Sequence, residues 1–238
     1  MIRAVLLDAV GTLIALREPV GDTYSRVAAA YGVAIAPWRI GDAFRRVLAT
    51  APPPVFPDAP PAELSARERA WWRAIARSAF LAADSAQSFA DFDACFDELW
   101  RSFASPGAWL AAQGAAEGLA GLRAAGRRTA VVSNFDRRLP GILAGLGLAP
   151  GLDACVLPAD AGAAKPDPRI FRRALERLGV PAAEAAFVGD DRERDLEPAA
   201  ALGIRPVDVA SLATLRDLPA RIDALDALDA GSDGGPGA

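Results

Sequence analysis

LLDAVGTL, residues 6–13, decides the fold. An apolar run over residues 2–7 ends abruptly on the carboxylate of Asp8, and a Gly11-Thr12 turn follows. A short apolar run bounded in this way reads as a strand buried on both faces. Four more runs repeat the pattern further along the chain, at residues 129–133, 154–157, 186–188 and 205–209. Between them lie helical patterns at 113–125, 138–146, 167–178 and 194–202. Each stops at a glycine (Gly126, Gly147, Gly179, Gly203), as a left-handed C-terminal cap requires. Strands alternating with helices predict an α/β fold built on a parallel sheet.

The first and second strands are separated by about 120 residues, where a crossover needs only about a dozen. The surplus carries helical patterns at 22–31, 40–49, 64–81 and 89–103 and no strand pattern, so a small helical domain is inserted there. Its proline-rich stretch APPPVFPDAPP, residues 51–61, is expected to be a solvated connector. The adjacent Trp71 and Trp72 cannot share one helix face, and core packing plus one interface residue is expected of them. The glycine-rich end, residues 230–238, is expected to be a mobile tail.

Composition narrows the function. The 238 residues include 26 basic and 30 acidic side chains, a net charge of −4, and no basic run, which argues against a nucleic-acid partner. No histidine is present, which removes Ser-His-Asp and Cys-His nucleophilic systems and HExxH zinc sites. Two cysteines without CxxC spacing and an apolar start interrupted by Asp8 and Gly11 predict a cytoplasmic chain with free thiols and no membrane span.

Chemistry collects at the strand ends, where open parallel sheets bind ligands. Asp8 follows the first strand, Ser133 and Asn134 the second, Lys165 lies in the loop after the third, and Asp190 and Asp191 follow the fourth. Asp8, Asp190 and Asp195 set three negative charges against the one positive charge of Lys165, and one divalent cation would make the set neutral. Oxygen ligands of this kind suit Mg²⁺ and phosphate handling. Neither GxxxxGK[ST] nor GxGxxG follows a strand, so a nucleotide loop or dinucleotide cofactor is not expected.

Four segments, LLDAVGTL, VVSNFD (131–136), AKPDPRIF (164–171) and FVGDDRERD (187–195), resemble the four motifs of the haloacid dehalogenase-like hydrolase superfamily. The resemblance implies a Rossmann-like parallel sheet core flanked by helices (residues 1–16 and 104–229) and an inserted α-helical cap of the C1 type (17–103). REPVGDTY (17–24), RAWWRAI (69–75) and SNFDRRLPGILAGLGL (133–148) further resemble the subgroup typified by rhythmically-expressed-gene-two-like proteins and haloacid dehalogenase-like hydrolase domain-containing protein three. By resemblance, Asp8 is the nucleophile of a Mg²⁺-dependent phosphohydrolase and forms an aspartyl-phosphate. Ser133 and the backbone N–H of Asn134 hold the phosphoryl group, and Lys165 neutralises it. Asp8, the Val10 carbonyl, Asp190 and Asp195 serve the metal, and Thr12 orients the nucleophile. The expected partner is a small phosphorylated metabolite.

Val10 departs from the pattern, since phosphatases of this superfamily carry an aspartate there as general acid and base. That catalysis contributes about 10²- to 10⁴-fold, roughly 3 to 5.5 kcal/mol of barrier, so the activity is expected to be weakened or confined to good leaving groups. The same substitution leaves two alternatives: a decayed phospholigand-binding or regulatory protein, and a 2-haloacid dehalogenase. Arg17 and residues 135–138 could reach the crevice mouth, but arginines in this chain are expected mostly as solvated surface charges. Lys165 is the only lysine, all other basic residues being arginine, and its compact ammonium suits a site beside an aspartyl nucleophile better than a planar guanidinium.

Overall fold

In a computed structural model, which describes residues 1–232, five parallel strands form the central sheet in the order β5-β4-β1-β6-β7. They are β1 (Ala4–Leu7), β4 (Arg128–Val132), β5 (Ala154–Val156), β6 (Ala185–Gly189) and β7 (Arg205–Asp208). Each of the five expected strands is present within one or two residues. In β1, the apolar run with no polar face has its explanation in alternation: Val5 and Leu7 join the core on one face, Ala4 and Leu6 the core on the other. The first core is closed by α5 (Ala115–Ala124), α6 (Leu139–Gly145) and α10 (Leu218–Ser232), the second by α8 (Pro168–Leu178) and α9 (Glu197–Ala201). All four stop glycines adopt positive φ, between 63° and 80°.

The chain leaves β1 for β4 and β5 on one side and returns to β6 and β7 on the other. This reversal opens a crevice at the carboxyl ends of β1, β4 and β6. Residues 230–232 continue α10, and the rest of the expected tail lies outside the described residues.

The long insertion forms four helices, α1 (Val20–Ala30), α2 (Pro37–Thr50), α3 (Leu64–Ala83) and α4 (Phe92–Ala104), which share an apolar cluster of their own around Tyr24, Ile40, Phe80 and Phe96. A feature that no sequence pattern announced joins them to the sheet. Two three-residue strands, β2 (Ile14–Leu16) and β3 (Trp109–Ala111), pair antiparallel where the chain enters and leaves the helices. Arg17 reinforces the pair by donating from Nε to the Gly107 carbonyl at 2.9 Å and from a terminal nitrogen to that of Trp109 at 3.5 Å.

Two further expectations are corrected. The helix expected over 194–202 is a π turn, Arg192–Leu196, followed by α9, because the Asp191 side chain caps it by accepting from the backbone N–H groups of Glu193 and Arg194. The proline-rich stretch is not merely a solvated connector. Its first residues, Ala51 to Pro54, line the cavity between the helices and the sheet, and the Pro52 carbonyl accepts a 2.9 Å bond from the Trp71 indole.

Candidate active site

Asp8 continues β1 through a backbone N–H donated to the Val188 carbonyl at 2.9 Å, so its side chain is fixed at the crevice floor. The loop behind it folds back on Ala9, whose carbonyl accepts from Leu13 and Ile14. Gly11 is indispensable to that turn. Its φ is +98°, and a Cβ there would stand 2.3 Å from an Asp190 carboxylate oxygen. Thr12 donates a 3.3 Å hydrogen bond to Asp190 rather than to Asp8.

Lys165 reaches the crevice from the loop after the short helix α7 (Pro158–Ala161). Its Nζ donates to Asp8 Oδ1 at 2.5 Å and to Asp195 Oδ1 at 2.6 Å, and all three side chains are more than nine-tenths buried. The π turn carries the buried Asp195, and π turns are frequent at functional sites. Gly189 makes room for it, since a Cβ there would lie 2.5 Å from Asp195 Oδ2.

Asp8, Asp190 and Asp195 each offer a carboxylate oxygen within 4.8 Å of the others. Two buried carboxylates sharing one ammonium are an electrostatic excess. Burial, with Asp195 adding to it, pushes the Asp8 carboxyl up to about 6 despite Lys165, and burial also raises that of Asp195. Hard oxygen donors in surplus negative charge are the donor set that a divalent cation fits. Val10 lies beside them, 41% exposed and among the residues that line the cavity.

Ser133 follows β4 directly and is buried, its Oγ accepting from the Phe135 backbone N–H at 3.3 Å. The side chain of Asn134 does something the sequence did not announce. Its Oδ1 accepts from the Lys165 backbone N–H at 2.7 Å and its Nδ2 donates to the Lys165 carbonyl at 2.9 Å. Asn134 thereby clamps the segment that carries the lysine across a separation of 31 residues.

Above these groups lies a cavity of about 620 Å³. The sequence-chosen residues Asp8, Val10, Ser133, Asn134, Lys165, Asp190 and Asp195 all line it, and the helical insertion closes it from the other side. Four of the five tryptophans face it: Trp71, Trp72, Trp100 and Trp109. Trp71 and Trp72 both reach it, edge to face with centroids 4.8 Å apart, and Trp72 also packs against the core of the helices. Arg138 is no solvated charge. Its guanidinium donates to both oxygens of buried Asp136 at 2.8 and 2.6 Å and stacks 3.6 Å from the Trp100 ring centroid.

Comparisons with known proteins agree with this construction. The chain is 38% identical over 208 residues to haloacid dehalogenase-like hydrolase domain-containing protein 3 of Mus musculus, covering 87% of this chain and 82% of that one. Among solved structures it matches a dehalogenase with TM-score 0.60 and 27% identity (87% and 84% covered). A HAD phosphatase from Thermococcus onnurineus matches with TM-score 0.58 and 23% identity (86% and 85% covered). The model of the haloacid dehalogenase-like hydrolases matches residues 2–203, nearly the whole fold including the site, and the chain belongs to that family.

Proposed function

We propose that the protein is a Mg²⁺-dependent phosphohydrolase that passes the phosphoryl group of a small ester through Asp8. The observation that carries the reading is the contact set of Lys165, whose one ammonium joins Asp8 to Asp195 at the floor of the cavity, beside Asp190. An Asp8 oxygen attacks phosphorus, and the bond from phosphorus to the leaving oxygen breaks with its electron pair. Water then attacks phosphorus, its protons leaving with the released phosphate, the bond to Asp8 breaks, and the carboxylate is restored. Lys165 offsets charge on Asp8 and on the transferring oxygens, Ser133 donates to one of those oxygens, and Asn134 holds the lysine segment in place. Asp8, the Val10 carbonyl, Asp190 and Asp195 would hold the cation. When bound, it supplies charge neutralisation and in-line orientation of the phosphoryl group. On this reading residues 17–103 act as a cap over the core of 1–16 and 104–229. A cytoplasmic setting accords with two free thiols that burial pushes up to about 12, and no helix among the described residues is long and apolar enough to cross a membrane.

The test is hydrolysis of para-nitrophenyl phosphate with and without Mg²⁺. Slow, Mg²⁺-dependent turnover that Asp8→Asn abolishes supports the reading, and equal rates in the variant contradict it. Val10 favours a second reading, a dehalogenase, because a halide leaves without a proton and the 27% identical neighbour bears that description. Three carboxylates around one lysine weigh against it, since in a reaction that uses no cation an added anionic substrate would be repelled. Chloride release from 2-chloropropionate in the presence of a chelator would decide for it.

A further inference from the structure

We infer that the phosphoryl donor is an aryl phosphate, the monoester of an uncharged phenol, with its ring lodged among the tryptophans of the cavity. The inference rests on the phosphohydrolase reading and adds what the leaving group must be. Two independent features converge on it.

The first is the chamber. Its volume, about 620 Å³, lies in the ordinary range of small-molecule sites, about 300 to 1,000 Å³. A cavity of about 150 Å³ is enough for benzene, so one or two rings fit beyond the phosphoryl position. Aromatic faces line it from three directions: Trp71 and Trp72 from α3, Trp100 from α4, and Trp109 from β3. Several polar groups of this wall are already bonded, while the buried Trp72 indole N–H has no partner among the described residues. The Trp71 indole N–H donates to the Pro52 carbonyl, and that of Trp109 to the Phe103 carbonyl at 3.1 Å. The cation of the upper wall, Arg138, is held by Asp136, and Arg194 at the floor pairs with Asp191 at 3.4 Å. A sugar, an amino acid or a second phosphate on the leaving group carries more polar groups than the free Trp72 N–H can match, and they would have to lose their water here. Each such unpaired polar group weakens binding. A neutral ring meets no such penalty and stacks on the walls.

The second feature is Val10. No carboxyl at that position can protonate the departing oxygen, and the residue is exposed among those that line the cavity. A phenol of the tyrosine kind ionises near 10, several units below an aliphatic alcohol, so its oxygen departs unprotonated far more readily. Aromatic walls and a missing proton donor are separate facts about the site, and one class of leaving group answers both.

The experiment is a substrate series on the wild-type protein with Mg²⁺: acetyl phosphate, phenyl phosphate, 2-naphthyl phosphate and para-carboxyphenyl phosphate. Acetyl phosphate needs no proton donor and has no ring. Phenyl and naphthyl esters share their leaving-group chemistry and differ in apolar surface. We expect kcat/KM to rise at least about tenfold from phenyl to naphthyl, the scale on which apolar pockets discriminate, and to fall by a similar factor for the carboxylated ester. Trp71→Ala, on the half-buried face of α3, should shrink the ratio of naphthyl to acetyl phosphate severalfold, mainly through KM. Hydrolysis of acetyl phosphate with no preference for naphthyl over phenyl overturns this inference and leaves the phosphohydrolase reading intact. No hydrolysis of any of the four overturns both.

Discussion

Replacing Asp8 with asparagine should make the metal-free protein more stable. The wild-type crevice holds two buried carboxylates on one ammonium, and burial lifts the Asp8 carboxyl from 3.8 to about 6. A carboxyl raised in the folded state favours folding while protonated. That contribution is full below pH 3.8 and is lost as the pH climbs through about 6, so at pH 8 the fold carries the whole cost of the buried charge. Two units at about 1.4 kcal/mol each set an upper bound near 3 kcal/mol. The amide of the Asp8→Asn variant keeps a carbonyl for Lys165 but cannot ionise, and a net gain of about 2 kcal/mol is a reasonable expectation. For a chain of this size that is roughly 4–8 °C in Tm. The assay is thermal unfolding of wild type and Asp8→Asn in EDTA at pH 8 and pH 4. The advantage of the variant should fall to roughly a fifth at pH 4, where the native wild-type carboxyl is largely protonated. With millimolar Mg²⁺ at pH 8 the order should narrow or reverse, because only the wild type retains the full ligand set. A variant that melts below wild type in EDTA at pH 8, or an advantage that does not change with pH, would refute the electrostatic account.

Three further outcomes are expected. Asn134→Ala removes both bonds on the Lys165 backbone; activity should drop at least tenfold, chiefly in kcat, with about 1–3 kcal/mol of stability lost, and unchanged kinetics would show that the clamp does not position the lysine. Glu68, buried on α3 with its carboxylate accepting from the Arg137 backbone N–H at 3.4 Å, is raised to about 7 by burial. Stability tied to its protonated form is lost as the pH passes from about 4.5 through 7, so Glu68→Gln should gain on the order of 1–2 kcal/mol at pH 8 and little at pH 4 in denaturant titrations. Val10→Asp should speed alkyl phosphates about 10²-fold or more while changing aryl phosphates much less; equal effects on both would count against a missing proton donor.

The parallel sheet was legible because strands buried on both faces keep continuous apolar runs, and because positive-φ glycines mark where helices end. β2 and β3 were not, since three residues carry no alternation and the partners are brought together only by the closed insertion. The floor of the candidate site was legible for a related reason: strand ends are a topological address, so Asp8, Ser133, Lys165 and Asp190 could be found from position alone. Its walls were not. Helical periodicity says that Trp71, Trp72 and Trp100 lie on helices, but not which faces meet across a crevice, and a proline-rich composition says nothing about what it covers. Arg138 shows the limit of composition most plainly. Twenty-five arginines make a surface charge the sensible expectation for any one of them, and only the buried Asp136 two residues before it and the distant Trp100 turn this one inward. Asn134 follows its strand directly in the sequence, yet its amide bonds to a backbone 31 residues on, a pairing that no local pattern encodes.

The central claim, that Asp8 takes the phosphoryl group, is tested most directly by acid-quenching the protein during turnover of an aryl phosphate with Mg²⁺ and mapping the phosphate by peptide mass spectrometry. The account predicts a phosphoryl group on the peptide containing Asp8, absent from Asp8→Asn and from protein without Mg²⁺. Turnover at a measurable rate with no phosphoryl group on that peptide, or with an undiminished rate in Asp8→Asn, would contradict it.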